Sequence, residues 1–467
     1  MYWTIHLEGG PRRVNHAAAA VEDLIYSFGG FNGSENYNER RPMDVHVLNT
    51  GNLRWTRLPN PSYLEYWQDD KCIPFLRYGH TAVAYGKKIL VWGGRNEESA
   101  CNQIFIFDTE THTWSKPRAT GMVPVARDGH TACIINHRMY VFGGYEEDID
   151  RFSNDVYFLD IAEMKWHYVM TSVCPILNKN NGEEAKFRDF HSASAIGSYM
   201  YVFGGRGDLN GPYGSHNEEY CSDIIYFDVE SNRWHKPITT GDIPKGRRSH
   251  SSFIVNGMLY IFGGYNGITE EHFNDLHCFN PRTCEWKQIQ PHGKPPVRRR
   301  RQSCIPIKNK VYIFGGTCPW LEVLGDVHNN DSEVVQFVAG QHPFDLDVNQ
   351  DNVNHNEHME EENDNDVNLI GDQIFHDGPN PILHHEHDDQ NQNDNGNQED
   401  MESDDEFSLE DSSKLMDLND LHVLDLLPSL YTLCLKTVFE HSIDTSGLPE
   451  IIRKELHYFT TPNTISQ

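Results

Sequence analysis

The chain has no run of about 18 apolar residues, so no membrane-crossing helix is expected. Its opening, Met1-Tyr2-Trp3-Thr4-Ile5-His6, is neither an apolar signal segment nor an Arg- and Ser-rich transit peptide. Ten cysteines are scattered without CxxC pairs or dense clustering, which argues against a disulfide framework or a thiolate metal site and for a reducing, cytosolic or nuclear setting. No phosphate-cradling glycine loop, nucleophile elbow or zinc motif is found, and no catalytic residue is assigned. Basic residues are few, 39 against 69 acidic, giving a net charge of -30. Apart from a local run at Arg298 to Arg301, this speaks against nucleic acid as a direct partner.

What is present is a repeat. Six times an arginine stands sixteen residues before a double glycine: Arg13, Arg77, Arg127, Arg188, Arg247 and Arg299 precede Gly29-Gly30, Gly93-Gly94, Gly143-Gly144, Gly204-Gly205, Gly263-Gly264 and Gly315-Gly316. Each interval reads Arg-x-x-His, with Gln302 in place of the histidine in the sixth, then an apolar strand, a polar turn, and a second strand ending aromatic-Gly-Gly, which is a hairpin. Similar third strands follow, such as Asp155 to Asp160, and a fourth is marked by Trp55, Trp114, Trp166, Trp234 and Trp286. Four strands in units of about 50 to 60 residues match the blade of a kelch β-propeller. The fold class expected is therefore all-β, a six-bladed kelch β-propeller.

After Gly315-Gly316 the third strand does not return until Asn419 to Asp425, and no tryptophan strand follows it. Trp3-Thr4-Ile5-His6-Leu7 stands ahead of Arg13 as Trp286 stands ahead of Arg299, so the N-terminal strand should complete the last blade and close the ring. This divides the chain into a propeller over residues 1–328, finished by 418–427, an insert over 329–417, and a C-terminal segment over 428–460. Residues 345–420 hold 25 acidic side chains and one base, Lys414, so only -6 of the net charge belongs to the rest. Rich in Asp, Asn, Glu and His, the insert should be disordered, with His355, His358, His376, His384, His385 and His387 solvated rather than holding a metal. No cofactor is expected.

Loops entering the first strand and leaving the second open on one face. Positions equal in every blade, such as His16, His80, His130, His191 and His250, answer a need common to all blades. Positions that differ are where a ligand is read: Tyr78, Asp128, Asp189, Phe190, Arg248, Ser249, Arg300 and Arg301 between arginine and histidine, and Arg95, Tyr145 and Arg206 after the glycines. Acids in blades three and four face arginines in blades four to six, a distribution suited to a peptide with an anionic end and a cationic point.

The last forty residues carry two helical stripes: Leu430, Leu433, Cys434 and Val438 in one segment, and Leu448, Ile452 and Leu456 after Gly447 in the next, which opens with Pro449. A ring of strands offers no obvious core for them, so they are expected to bind something else. Ser429-Leu430-x-x-x-Cys434-x-x-x-Val438 resembles the BC box that docks on elongins B and C. Leu448-Pro449-x-x-Ile452-x-x-x-Leu456 resembles the cullin-2 box; Ile451 stands where the cullin-5 version has a second proline. With Arg77-Tyr78-Gly79-His80, Arg127-Asp128-Gly129-His130 and Arg188-Asp189-Phe190-His191, the chain is similar to the kelch domain-containing substrate receptors of cullin-2 RING ubiquitin ligases. The acidic insert departs from that pattern.

The resemblance implies a non-catalytic subunit, cytoplasmic and nuclear, that binds elongin B and elongin C, cullin-2 with its RING subunit, and proteins ending in glycine. An arginine directly after the double glycine, Arg206 here, would hold the terminal carboxylate; the partner serine of that arrangement falls on Arg248. A kelch scaffold that binds chromatin or cytoskeleton remains the alternative, needing the propeller but neither C-terminal motif.

Overall fold

The computed structural model describes residues 1–35, 41–60, 72–173, 185–215, 217–320 and 415–466. The insert histidines and most of the expected insert lie outside the described residues. Its last three residues do not behave as insert: Leu415–Asp417 pairs antiparallel with Thr317–Pro319 and extends the sixth blade.

Six sheets of four antiparallel strands follow one another in sequence, and in blades three to five a short fifth strand, Thr120–Gly121, Ser172–Val173 or Thr240–Gly241, adds in parallel at the edge. Blade one comprises Ala17–Val21, Leu24–Phe28, Val45–Asn49 and Arg54–Arg57, and blades two to five repeat this order. Blade six is Ser303–Ile307, Lys310–Phe314, Leu421–Asp425 and then Tyr2–Leu7, so the first strand of the chain is the outermost strand of the last blade. First strands of successive blades touch all the way round, from blade one through six and back to one.

Three closed circuits explain the repeat. Each arginine of blades two to six donates to the carbonyl of the glycine sixteen residues on, at 3.0–3.3 Å. Its own carbonyl accepts the N–H of the second glycine of the preceding blade, Gly94 to Arg127 at 2.9 Å for example, and Gly316 to Arg13 at 2.9 Å joins the last blade to the first. The arginine thus ties two blades with one residue. Aromatic rings form the second circuit, the residue before each double glycine packing on the fourth-strand tryptophan of the next blade: Phe28 on Trp114, Trp92 on Trp166, Phe142 on Trp234, Phe203 on Trp286, Phe262 on Trp3, Phe314 on Trp55, with centroids 4.8–5.9 Å apart. Such pairs contribute roughly 0.5–1.5 kcal/mol each beyond their buried area. That Trp3 takes its place in the circuit between blades five and six is why the ring closes with the N-terminal strand.

The repeated histidines hold the third contact. At Gly93, with φ 71°, a Cβ would sit 2.2 Å from Cε1 of His130, so only glycine admits the histidine of the next blade. His130, His191 and His250 then bond Thr81, Thr131 and Ser192 of the preceding blade at 2.7–2.9 Å, and Gln302 takes the same place against Ser251 at 3.3 Å.

The C-terminal segment forms α1 (Leu430–Glu440) and α2 (Glu450–Thr460). Contrary to the sequence expectation, these helices do have a place to dock. Both lie against the N-terminal strand Tyr2–Leu7, with Leu435 and Leu456 as their buried residues. Beyond α2 the chain adds to blade one, where Ser466 bridges Thr56 in parallel and the Arg57 N–H donates to Ser466 at 2.8 Å. Among the described residues no helix is long and apolar enough to cross a membrane.

Candidate functional site: the loop face of the propeller

The second variable residue of every Arg-x-x-His entry adopts positive φ, between 44° and 67°: Asn15, Gly79, Gly129, Phe190, Ser249 and Arg301. Their backbones form a closed ring about the axis. Gly79 donates to Asn15, Gly129 to Gly79, Phe190 to Gly129, Ser249 to Phe190, Arg301 to Ser249 and Asn15 to Arg301, at 2.8–3.2 Å. This ring floors a cavity of about 120 Å³. Glycine would occupy such backbone most cheaply, and a side chain there costs on the order of 1–3 kcal/mol; Phe190 and Arg301 adopt it nonetheless, and both line the cavity. The histidines behind them line the same cavity, and burial, with the neighbouring arginines, holds them neutral: His16 near 4, His80 and His250 near 3, His130 and His191 well below the ordinary value.

The first variable residue pairs, through a backbone bridge, with the residue after the double glycine: Val14 with Phe31, Tyr78 with Arg95, Asp128 with Tyr145, Asp189 with Arg206, Arg248 with Tyr265, Arg300 with Thr317. Both groups of variable positions therefore do share one face. The charges are arranged differently from the expected polarised bowl. Arg206 is buried and bound to Asp189, itself fully buried, at 2.8 Å, with Glu218 at 3.5 Å. Each thus neutralises the other, and neither presents a whole charge to a ligand. Arg95 pairs with Glu147 at 2.7 Å, the Tyr78 hydroxyl donates to Glu97 at 3.3 Å, and that of Tyr145 to Asp150. Asp128 is buried, its Oδ2 3.0 Å from where a Cβ on Gly79 would lie.

The cationic side of the face lies in blades five and six. Arg248 is half-buried between the rings of Tyr220 and Tyr265, at 5.9 and 6.0 Å, and has no carboxylate partner among the described residues. Arg300 lies 4.3 Å over the Tyr265 ring, and His272 packs 4.5 Å from the same ring. Burial and the charges of Arg300, Arg301 and Arg298 push His272 down to about 3. Ser249, buried, and Arg301 complete this quadrant at the floor. Tyr220, Tyr265 and His272 were not among the expected site residues. Tyr265 follows the double glycine of blade five, one of the positions that vary from blade to blade; Tyr220 and His272 sit on returning loop strands that the repeat does not mark.

One group of possible metal donors occurs among the described residues, His6, Asp420 and His422. Asp420 already accepts two bonds from Arg299, at 2.6 and 2.7 Å, and one from His422 at 2.9 Å. The same Arg–Asp–His arrangement recurs as Arg13, Asp44 and His46, and as Arg247, Asp275 and His277. It is a structural repeat, and at Asp420 both carboxylate oxygens are already bonded.

A Kelch-repeats domain model, described as that of KLHDC2, KLHL20 and DRC7, matches residues 79–316, and a Kelch motif model matches 12–62. Kelch domain-containing protein 3 of Homo sapiens is 40% identical over 466 residues, covering 100% of this chain and 97% of that protein, and its Mus musculus counterpart is 41% identical. The chain belongs to the kelch domain-containing protein 3 family. Host cell factor 2 of Homo sapiens is 29% identical over 257 residues, 53% of this chain and 31% of that protein. Kelch propellers are typically interaction domains, and the loop face just described is a candidate surface for one.

Away from that face, α1 begins with Ser429, whose Oγ accepts the Thr432 N–H at 3.1 Å, and it turns Leu430, 78% exposed, and Cys434 outward, with Leu433 and Val438 half-buried. Pro449 caps α2, and Leu448 and Ile452 are half-buried. Leu456 departs from the expected partner-facing stripe: it is 8% exposed, spent on docking α2. The Tyr431 hydroxyl donates to Glu455 at 2.7 Å and couples the two helices.

Proposed function

We propose that this chain is the substrate-recognition subunit of an elongin B, elongin C and cullin-2 RING ubiquitin ligase, capturing polypeptides that end in glycine and directing them to ubiquitination. The observation that carries the reading is Arg248: a guanidinium between two tyrosines, without a carboxylate among the described residues, beside Arg300 and above Ser249 and Arg301. A chain-terminal carboxylate supplies the bidentate anion such a fork accepts, and a glycine without Cβ lets the chain end approach the floor. Arg248 and Arg300, rather than Arg206, take the carboxylate, because Arg206 is committed to Asp189. The exposed stripe of Leu430 and Cys434 suits an elongin groove, since a free apolar helix face gains most by being covered. Family membership agrees with an interaction role.

The test has two arms. Arg248→Ala is expected to weaken binding of glycine-ended peptides at least about tenfold while elongins still co-purify. Leu430→Arg with Cys434→Arg is expected to do the reverse. Unchanged peptide binding in the first variant removes the carboxylate assignment, and elongins retained by the second remove the ligase role.

A further inference from the structure

Above the bridge ring, blades three, four and five carry hairpins that lock together. They are Tyr145–Phe152, Arg206–Tyr220 and Tyr265–His272; the Phe152 N–H donates to Pro212 of the next hairpin at 2.7 Å, and a Cβ on Gly267 would lie 2.5 Å from the Tyr220 hydroxyl. The crest of this wall has two properties that the folding of the ring does not need. Large apolar side chains point into solvent from all three hairpins, Ile149 at 48% exposed, Leu209 at 65%, Tyr213 at 60% and Ile268 at 65%. The three hairpins also hold nine carboxylates; Glu146, Glu147, Glu218, Glu219 and Glu271 are ion-paired with Arg151, Arg95, Arg206, Lys186 and Lys245, which leaves Asp148, Asp150, Asp208 and Glu270 without a cation among the described residues. Asp148 and Glu270, exposed beside Ile149 and Ile268, make no side-chain hydrogen bond or ion pair among the described residues. Three adjacent exposed apolar tips on one rim are more than scattered surface chance, and the acidic surround specifies a cationic visitor.

We infer that this crest receives the stretch of the bound polypeptide just N-terminal to the end held in the bowl, and that it selects apolar and basic side chains there. The inference rests on the proposed binding of chain ends. Two strand residues and the 3-10 turn Glu147–Ile149 carry the chain from Tyr145 at the bridge ring to Ile149 at the crest, on the order of 10 Å, so the stretch read is roughly five to nine residues before the terminus. Apolar contact there adds affinity through slower release, and the carboxylates add a salt-dependent association rate.

The experiment compares a sixteen-residue peptide ending in glycine, with leucine and lysine placed five to nine residues from its end, against its own last six residues, by fluorescence polarisation with the full chain. The longer peptide is expected to bind about tenfold more tightly. Ile149→Ser with Leu209→Ser and Ile268→Ser should abolish that gain and leave the six-residue peptide unaffected. Asp148→Lys with Glu270→Lys should erase the salt dependence of the gain. Equal affinities for the two peptides, or a gain that survives the serine substitutions, overturns the inference while leaving the bowl intact. Failure of the short peptide to bind at all counts against the bowl, and the crest reading falls with it.

Discussion

Acidification from pH 7 to pH 5 is expected to destabilise the propeller steeply. His16, His80, His130, His191 and His250 are buried at the blade junctions and held neutral, near 4 or 3 for three of them and well below the ordinary value for the other two. In the unfolded chain each titrates near 6.5. Because the folded pKa values are depressed, the unfolded state takes up protons that the folded state refuses. Stability is thus complete above about 6.5 and is lost as pH falls from there toward the folded values. At pH 5.5 about nine-tenths of five protons are bound only on unfolding, a slope of roughly 6 kcal/mol per pH unit, comparable with the whole stability of an ordinary domain. His46, His272 and His422 are lowered in the same direction and steepen the loss, whereas Asp44, Asp275 and Asp420, whose pKa values are lowered by buried arginines, contribute only below about pH 4. Urea unfolding followed by tryptophan fluorescence at half-unit steps measures the slope. His130→Gln provides an internal control, since Gln302 already fills that place in blade six, and it should flatten the slope by roughly one proton's worth, about 1.4 kcal/mol per unit. A midpoint that stays constant between pH 7 and pH 5, or an unaltered slope in the variant, refutes the reasoning.

Other outcomes follow from single contacts. Asp420→Ala leaves Arg299 buried without its carboxylate and should cost about 3–5 kcal/mol, seen as a large drop in Tm by calorimetry. Gly93→Ala drives a methyl into His130 and a non-glycine residue to φ 71°, so it should fail to give folded protein in circular dichroism, whereas Gly86→Ala, whose Cβ meets nothing within 4 Å, should cost only the strain of its positive φ. Leu435→Ala should loosen α1 from the N-terminal strand and cost about 2–5 kcal/mol in urea unfolding; Leu430→Ala, at an exposed position, should not alter it measurably.

Much of the fold was legible because one spacing served three purposes. The sixteen-residue interval is a hydrogen bond from a guanidinium to a glycine carbonyl, the histidine is the part of the next blade that forbids a Cβ on that glycine, and each tryptophan is the partner of an aromatic one blade back. Trp3 announced the closure for the same reason. The loop face was legible as a place but not as a charge pattern. Asp189 and Arg206 lie seventeen residues apart in the chain, yet their backbone bridge puts them side by side, and a composition of acids and bases cannot say which are already paired. Tyr220 and His272 come from returning strands of loops whose lengths vary from blade to blade, so periodicity carries no information about them. The docking of α2 was missed because its stripe is shared: Leu456 faces the propeller while Leu448 and Ile452 are only half-covered.

The most direct measurement is calorimetric titration of the full chain with a ten-residue peptide ending in glycine, prepared once as the free acid and once as the C-terminal amide. Loss of a charge-assisted fork should weaken the amide by roughly ten- to a hundredfold, and Arg248→Ala should bring the free acid down to the level of the amide. Equal binding of acid and amide to the unaltered chain would contradict a bowl built to hold the terminal carboxylate of another polypeptide.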